Sequence, residues 1–325
     1  MSSMDLSSQD LSEQLLPIVV PPHSGVGYKM VFPHHTVAFP DEVEVVVHKP
    51  TREPFGEQIK MFWKNVSSLQ WETSTFTAFK HCIKEDQTTV LDFGSWIGPT
   101  VLYSAALGAR QVLSFEPDPA AFAELQVNVG LNGFSNVRLH QACIGPVNGL
   151  QTLYFRDGSS VSTTAKETSH DYFQVTGEFH VYCHTVDKVL KKYLASSATT
   201  TAPLFIKIDT EGFEVDLLPS LVEVFKKYQP AVHLSVHPML REFGEAEWKA
   251  VYEAVRVFPK RFLPAVSDNG QGIWKQVKMK GWKECQALLT ESTEIMLMWS
   301  KGQCAGIDEP ELREHGEVGD DGEDD

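Results

Sequence analysis

Between residues 90 and 300, short apolar segments alternate with segments whose apolar residues recur at helical spacing. We predict strands at Val90–Asp92, Gln111–Phe115 and Leu204–Asp209, and a helix at Pro99–Ala109 between the first two strands. Strands that are apolar throughout are typical of parallel sheets buried on both faces, whose connections are helical. The pattern therefore predicts an α/β fold with a mostly parallel sheet and helices on both of its faces.

Two segments rich in β-branched residues precede this pattern and predict a β-hairpin. They are Tyr28–Phe32 and Val43–His48, and prolines and a His-His pair separate them. From composition and pattern we expect a flexible lead, a hairpin extension, one main domain and a disordered acidic tail; the expected bounds are 1–20, 21–55, 56–305 and 306–325.

The net charge of −15 is concentrated in the C-terminal tail, and the rest of the chain is mildly acidic. An acidic surface does not attract phosphate backbones, so we expect no nucleic-acid partner. The short apolar stretch Leu15–Val20 has no basic segment before it, so neither a signal peptide nor a membrane partner is expected. What protein, if any, binds the acidic tail is left open.

The 5 cysteines are scattered and include no C-x-x-C pair. An odd number without metal-like spacing indicates a reducing compartment, and it argues against a disulfide framework and a structural zinc site. Together with the N-terminal composition, this predicts a cytoplasmic protein.

The first strand leads into the loop D-x-G-x-x-x-G, formed by Asp92, Gly94 and Gly98. A dinucleotide-binding loop has the spacing G-x-G-x-x-G, so a dehydrogenase is disfavoured. An acidic residue at the end of the first strand suits the ammonium group of S-adenosylmethionine better than a pyrophosphate. Glu116 ends the next strand, where a carboxylate can bind both hydroxyls of a ribose. The two acidic residues together favour S-adenosylmethionine as cofactor.

Four stretches of the sequence resemble the FkbM-type methyltransferases of the class I S-adenosylmethionine-dependent superfamily; they are 90–100, 114–119, 136–145 and 205–214. The last stretch, F-I-K-I-D-T-E-G-F-E, resembles the K-I-D-x-E-G-x-E signature of that family and is the most specific match. The resemblance extends from about Trp71 to Ser300. It implies a Rossmann-like seven-stranded sheet, with the methyltransferase domain at 56–305.

The resemblance also implies which residues bind the cofactor. Asp92, Gly94 and Gly98, with Ser95 in the same loop, would line its methionine end. Glu116 would bind the ribose. Four further residues are implied near the adenosine or the amino group; these are Pro117, Asp118, the Ala142–Cys143 pair and Glu72. Trp96 departs from the small residue or Asn common at its position, so it must either point away from the cofactor or stack against it.

The predicted strand that ends in the family signature carries candidate catalytic residues. Lys207 and Asp209 alternate along it and therefore share one face of the sheet. We expect Asp209 to activate an acceptor hydroxyl, with Lys207 or His237 orienting that acceptor. The alternative is a purely structural ion pair between Lys207 and Asp209. Asp209, Glu211 and His237 could also hold a divalent cation, although we expect no metal.

The favoured function is O-methylation of a hydroxyl on a small molecule or a sugar. The family resemblance, and not the chemistry of the residues, implies that the acceptor group is a hydroxyl. An N-methyltransferase is an alternative, disfavoured because Asp209–Gly212 stands where N/D-P-P-Y would be expected. A third alternative is a catalytically silent scaffold that binds the cofactor and regulates or assembles with a partner.

Overall fold

The structure is a computed structural model, and it describes residues 33–49, 55–156, 159–164, 175–194, 202–241, 243–266, 272–300 and 302–307. Its strands are β1 His34–Ala38, β2 Glu44–His48, β3 Thr89–Phe93, β4 Gln111–Phe115, β5 Val137–His140, β6 Cys143–Ile144, β7 Gly149–Arg156, β8 Ser159–Thr164, β9 Val175–His184, β10 Leu204–Ile208, β11 Ala231–Ser235, β12 Lys260–Val266, β13 Gly272–Gln276 and β14 Glu294–Met298. Its helices are α1 Phe55–Ser67, α2 Thr73–Cys82, α3 Pro99–Ala106, α4 Pro119–Asn132, α5 Val186–Leu194, α6 Glu214–Tyr228, α7 Glu245–Val255 and α8 Trp282–Ser292.

A central sheet of 8 strands organises the fold, in the order β13-β12-β14-β11-β10-β3-β4-β5. The strands from β11 to β5 in this order run parallel, and β14, β12 and β13 add antiparallel pairings at one side. The predicted α/β class and the Rossmann-like, mostly parallel sheet are confirmed. The sheet has one strand more than the seven predicted, because β13 pairs with β12 at the edge.

Strand order places the carboxyl ends of β3, β4, β10 and β11 side by side. The chain winds from β3 towards β5 on one side, and β10 and β11 lie on the other. Ligands of open α/β sheets bind in the crevice where the strand order reverses. The β3–β10 boundary is therefore the expected position of the site. Every residue of these two strands is buried, as their apolar sequences predict.

The N-terminal β1–β2 hairpin packs into the main core. Its Val37, Val45 and Val47 are buried in the same apolar cluster as residues of α1, α2 and α3. A hairpin is present and its second strand is the predicted one, but its first strand β1 includes the His-His pair that the sequence analysis took as the separator. The predicted first strand Tyr28–Phe32 lies outside the described residues. The predicted lead at 1–20 and most of the acidic tail also lie outside them.

A second, 4-stranded sheet has the order β6-β9-β7-β8, and the sequence analysis did not predict it. It links two cysteines: Cys143 of β6 lies opposite Cys183 of β9 and forms a disulfide with it. Cys82 forms another disulfide with Cys304, and Cys285 is free. The expectation of no disulfide was wrong, because these cysteines are brought together by tertiary structure over 40 and 222 residues of sequence. The reducing compartment inferred from them loses that support.

Across the described ranges, no helix combines the length and the apolar character that crossing a bilayer requires.

The side chain of Asn128 joins the hairpin to the β3–α3 loop, so its removal should destabilise the fold. Its Oδ1 accepts from the His48 N–H at 2.7 Å, and its Nδ2 donates to the Ile97 carbonyl at 2.9 Å. We expect Asn128→Ala to lower the free energy of unfolding by about 1–3 kcal/mol, since it leaves backbone groups unpaired in the core. Urea denaturation measures this loss. Asn148→Ala removes two exposed hydrogen bonds to Thr185 and should cost less than about 1 kcal/mol. Equal costs would contradict the role given to Asn128.

Candidate active site

The β3–α3 loop lies against the end of β10 because Gly94 allows it. Gly94 has φ +76°, and a Cβ there would lie 1.8 Å from the Asp209 carbonyl oxygen. Gly98 has φ +97° and precedes Pro99, the first residue of α3; a Cβ on Gly98 would lie 2.5 Å from Leu125 Cδ1. Gly94 therefore sets the contact between loop and strand, and Gly98 sets the packing of α3 against α4.

A buried lysine fixes this loop to the two central strands. Lys207 Nζ donates to the Gly94 carbonyl at 2.7 Å and lies 3.2 Å from Asp209 Oδ2 and 3.4 Å from Asp92 Oδ1. Burial alone would lower the pKa of Lys207, but Asp209 and then Asp92 outweigh it and raise that pKa. The ammonium group is therefore charged at neutral pH.

Asp92 belongs to the interior of the site. It is fully buried, its Oδ2 accepts from Thr100 Oγ1 at 2.6 Å, and burial raises its pKa even though Lys207 opposes that change. Its Oδ1 has an ion-pair contact with Lys207 but no hydrogen bond. Asp92 consequently joins β3, α3 and Lys207.

Glu116 follows β4 and lies at the opposite end of the site from β11. Its Oε2 accepts from the Trp96 N–H at 2.7 Å, and its Oε1 accepts from the Asp118 N–H at 2.8 Å. Burial raises the pKa of Glu116 to about 8, against the lowering effect of these two hydrogen bonds. Asp118 itself caps α4 by accepting from the N–H groups of Ala120 and Ala121.

The turn after β10 is organised by a carboxylate that the sequence analysis did not assign to the site. Glu214 is fully buried, and its Oε1 accepts from the Thr210 N–H at 2.9 Å while its Oε2 accepts from the Gly212 N–H at 3.0 Å. These bonds hold Glu211 and Gly212 at φ values of +53° and +94°. The sequence signal for this role was the last Glu of the K-I-D-x-E-G-x-E signature. Glu214 is the first residue of α6, so its side chain can reach the backbone of the turn that precedes the helix.

His237 follows β11 and lies between two carboxylates. Its Nδ1 is 3.1 Å from Glu214 Oε1, and its Nε2 is 3.5 Å from Asp209 Oδ1. Burial would lower the pKa of His237, but Glu214 in particular raises it to about 10. Burial likewise opposes ionisation of Asp209, yet Lys207 and then His237 bring its pKa below the ordinary value. Burial raises the pKa of Glu211 to about 7, and Asp209 adds to this increase.

These groups surround a cavity of about 240 Å³ at the carboxyl ends of the central strands. Phe62, Trp71 and Trp96 form one aromatic wall, with ring centroids of Phe62 4.5 Å from Trp96 and 4.9 Å from Trp71. Trp96 thus lines the cavity and does not point away from it. Of the two arrangements predicted for Trp96, stacking against a bound cofactor is the one that agrees with this position. Phe62 belongs to α1, and the packing of that helix brings it to the cavity.

The structure brings together about half of the predicted site residues. Those that line the cavity are Glu72, Gly94, Glu116, Pro117, Cys143, Asp209 and His237. Those that lie outside its lining are Asp92, Ser95, Gly98, Asp118, Ala142 and Lys207. Most members of the second group have contacts that hold the first group in position, as described for Asp92, Asp118 and Lys207. Thr210 and Phe213 also line the cavity and were not predicted, and so does Glu211, which the sequence analysis named only as a possible metal ligand.

We expect Lys207→Met to lower the free energy of unfolding by about 3–5 kcal/mol, because it leaves the buried carboxylate of Asp92 and the partly exposed carboxylate of Asp209 without their cation. Adding Asp92→Asn should recover part of this loss. Chemical denaturation at neutral pH measures both effects. The matched change Lys226→Met breaks an exposed pair with Glu223 and should cost less than about 1 kcal/mol. A cost for Lys207→Met as small as this would show that the buried pairs do not organise the loop.

Comparison with known proteins identifies the family. The family model described as "Methyltransferase FkbM domain" matches residues 92–262. "Methyltransferase 1" of Beauveria bassiana (strain ARSEF 2860) is 28% identical over 149 residues, which cover 42% of this chain and 59% of that protein. The chain thus matches less than two thirds of that relative's length.

Solved structures with a similar course of the chain include an O-methyltransferase from Bacillus cereus in complex with SAH, with TM-score 0.37, 11% identity and coverage of 77% of this chain and 92% of that one. A SAM-dependent methyltransferase from Agrobacterium tumefaciens has TM-score 0.35, 12% identity and coverage of 84% and 72%. An rRNA methylase from Streptococcus thermophilus has TM-score 0.36, 12% identity and coverage of 70% and 95%. Because the family model matches more than half of the sequence, the chain belongs to the FkbM methyltransferase domain family.

Proposed function

We propose that this methyltransferase uses S-adenosylmethionine to methylate a hydroxyl group of a small molecule or a sugar. The observation that carries the proposal is the cavity itself. Glu116 lies at one end of it, and Asp209 and His237 lie at the other, so a cofactor site and an acceptor site are continuous.

The cavity residues suit the chemical groups of S-adenosylmethionine. The carboxylate of Glu116 can accept hydrogen bonds from ribose hydroxyls, and that of Glu72 can accept from an ammonium group. Ile144 and Leu153 offer an apolar surface beside Cys143 for the adenine ring. Gly94 leaves room for close approach to its backbone. When bound, the cofactor supplies a sulfonium methyl group, and the O–C bond forms as the S–C bond breaks and leaves its electron pair on sulfur.

At the acceptor end, Asp209 holds the acceptor hydroxyl and favours the loss of its proton. Lys207 keeps this carboxylate ionised and fixes its position, and His237 borders the same space. Positioning the acceptor oxygen against the transferable group supplies much of the rate enhancement in such displacements. The aromatic and acidic lining of the cavity favours a small acceptor over a nucleic acid, because acidic groups repel phosphates. The family resemblance favours a hydroxyl over an amide or base nitrogen.

The catalytic unit requires the hairpin as well as the predicted 56–305 domain, since both share one core. We therefore propose that any functional fragment begins before β1.

A cytoplasmic location also remains a proposal, although disulfides such as these two are more common in oxidising compartments.

We expect Asp209→Asn to reduce methyl transfer at least about 100-fold while leaving the affinity for S-adenosylmethionine within about threefold. The assay supplies methyl-labelled S-adenosylmethionine with panels of sugars, phenols, amides, nucleobases and RNA, and identifies the methylated product by mass spectrometry. Asp216→Asn is the matched control, because Asp216 pairs with Arg241 and does not line the cavity.

Each acceptor panel decides between functions. Methyl ethers would support the proposal, and labelled nitrogen atoms or RNA would replace it with another methyltransferase activity. Cofactor binding without transfer to any panel would favour the catalytically silent scaffold. Normal turnover by Asp209→Asn would remove Asp209 from the reaction.

We expect Glu116→Gln to weaken S-adenosylmethionine binding about tenfold or more, because a neutral amide is a poorer acceptor for two hydroxyls. Since the pKa of Glu116 lies near 8 and bound hydroxyls favour its ionised form, wild-type affinity should rise as pH increases towards 8 and then level off. Asp118 opposes this ionisation and Lys207 assists it.

Calorimetric titration between pH 6 and pH 9 tests this pH dependence. The rise of affinity with pH that Glu116 causes should be absent in Glu116→Gln. Glu124→Gln is the control, because Glu124 is a buried carboxylate that pairs with His48, and this variant should keep the wild-type pH dependence. An unchanged affinity and pH profile in Glu116→Gln would exclude the ribose contact.

A further inference from the structure

Three side chains with metal-binding atoms converge at the acceptor end of the cavity. Asp209, Glu211 and His237 each offer a ligand atom, and these atoms all lie within 4.8 Å of one another. Asp209 and Glu211 follow β10, whereas His237 follows β11, its parallel neighbour. All three side chains line the cavity and are partly exposed. The ligands therefore come from two adjacent strand ends that the central sheet holds in fixed register.

The imidazole of His237 is held in the orientation that a metal ligand needs. Its Nδ1 is 3.1 Å from Glu214 Oε1 and keeps its proton in that hydrogen bond, so a metal ion that displaces the proton from Nε2 has Nε2 as its ligand atom. Nε2 faces Asp209, 3.5 Å from its Oδ1. Glu214 is itself fixed by the N–H groups of Thr210 and Gly212. A carboxylate behind a histidine is the usual outer support of a metal-binding imidazole.

Two positive charges lie near these carboxylates. Lys207 is shared between Asp92 and Asp209, and His237, while protonated, lies between Asp209 and Glu214. A divalent cation between Asp209, Glu211 and His237 would take the place of the Nε2 proton at the centre of the cluster. The cluster contains carboxylate oxygens and one imidazole and no thiol, a donor set that suits Mn²⁺ or Mg²⁺ better than a soft metal.

We propose that Asp209, Glu211 and His237 bind a divalent cation of the Mn²⁺ and Mg²⁺ class at the acceptor end of the cavity. This site differs from the metal-free one that the sequence analysis expected. Its role rests on the proposed function: an acceptor hydroxyl that coordinates the cation has a lowered pKa, its O–H bond breaks, the proton passes to solvent, and the electron pair stays on oxygen. Asp209 then activates the hydroxyl through the cation.

Binding of Mn²⁺ alone to the full-length chain tests the site without any acceptor. After treatment with EDTA and removal of the chelator, Mn²⁺ is titrated and the free ion is followed by electron paramagnetic resonance. We expect one Mn²⁺ per chain, displaced by excess Mg²⁺. Asp209→Asn and Glu211→Gln should each weaken binding at least about tenfold, and Glu214→Gln should weaken it through His237. Asp216→Asn, on the neighbouring helix α6, should bind as wild type does.

Two results would overturn the site. One is no binding of Mn²⁺ to the wild-type chain up to about 1 mM, a range that covers weak protein sites for divalent cations. The other is equal affinity in Asp209→Asn, Glu211→Gln and the Asp216→Asn control. Titration of each variant with S-adenosylmethionine verifies that its cavity is folded, and circular dichroism does so if the cofactor does not bind.

The experiment separates this inference from the proposed function. Cofactor binding and methyl transfer that persist in EDTA would remove the cation and leave the methyltransferase proposal intact. Site-dependent Mn²⁺ binding in a chain that does not bind S-adenosylmethionine would retain the metal site and remove the proposed cofactor.

Discussion

The ammonium group of Lys207 is the interaction on which the rest of the site depends. It lies between the two central strands, bonded to the Gly94 carbonyl and paired with Asp92 and Asp209. A buried charge is costly unless it is paired and hydrogen-bonded, and here one cation satisfies a loop carbonyl and two carboxylates at once. The position of the β3–α3 loop and the ionisation of Asp209 therefore have the same physical origin. The sequence left two roles open for Asp209, a structural ion pair with Lys207 and a catalytic carboxylate. The two roles are compatible, because Asp209 pairs with Lys207 and also lines the cavity.

Glu214 has the corresponding role at the end of the cavity that Asp209 and His237 line. It accepts hydrogen bonds from the turn after β10 and holds His237 from β11, so one buried carboxylate orients groups from two strands. The K-I-D-x-E-G-x-E signature thus combines residues of different kinds: Lys207 and Glu214 are supports, whereas Asp209 and Glu211 face the cavity. This division explains why so many charged residues lie within ten positions of sequence.

The sequence predicted those parts of the fold in which local pattern and tertiary environment agree. β3, β4 and β10 are buried on both faces, so their apolar runs identify them within one residue at each end. The sheet containing β7 and β9 was missed because β9 alternates partly exposed and exposed residues over most of its length, so no continuous apolar run identifies it. The cavity-facing role of Glu116 was predicted from its place at a strand end, whereas the burial of Asp92 depends on Thr100 and Lys207, which only packing brings to it.

By itself, the sequence determined the fold class, the strand ends at which the site lies and the family to which the chain belongs, because apolar periodicity and short motifs are local properties. Tertiary structure decided which acidic residues face the cavity, which cysteines pair and how the hairpin joins the core. It also brought Asp209, Glu211 and His237 within reach of one cation. Such contacts join residues far apart in the chain, and burial and charge pairing arise only when the strands are placed side by side.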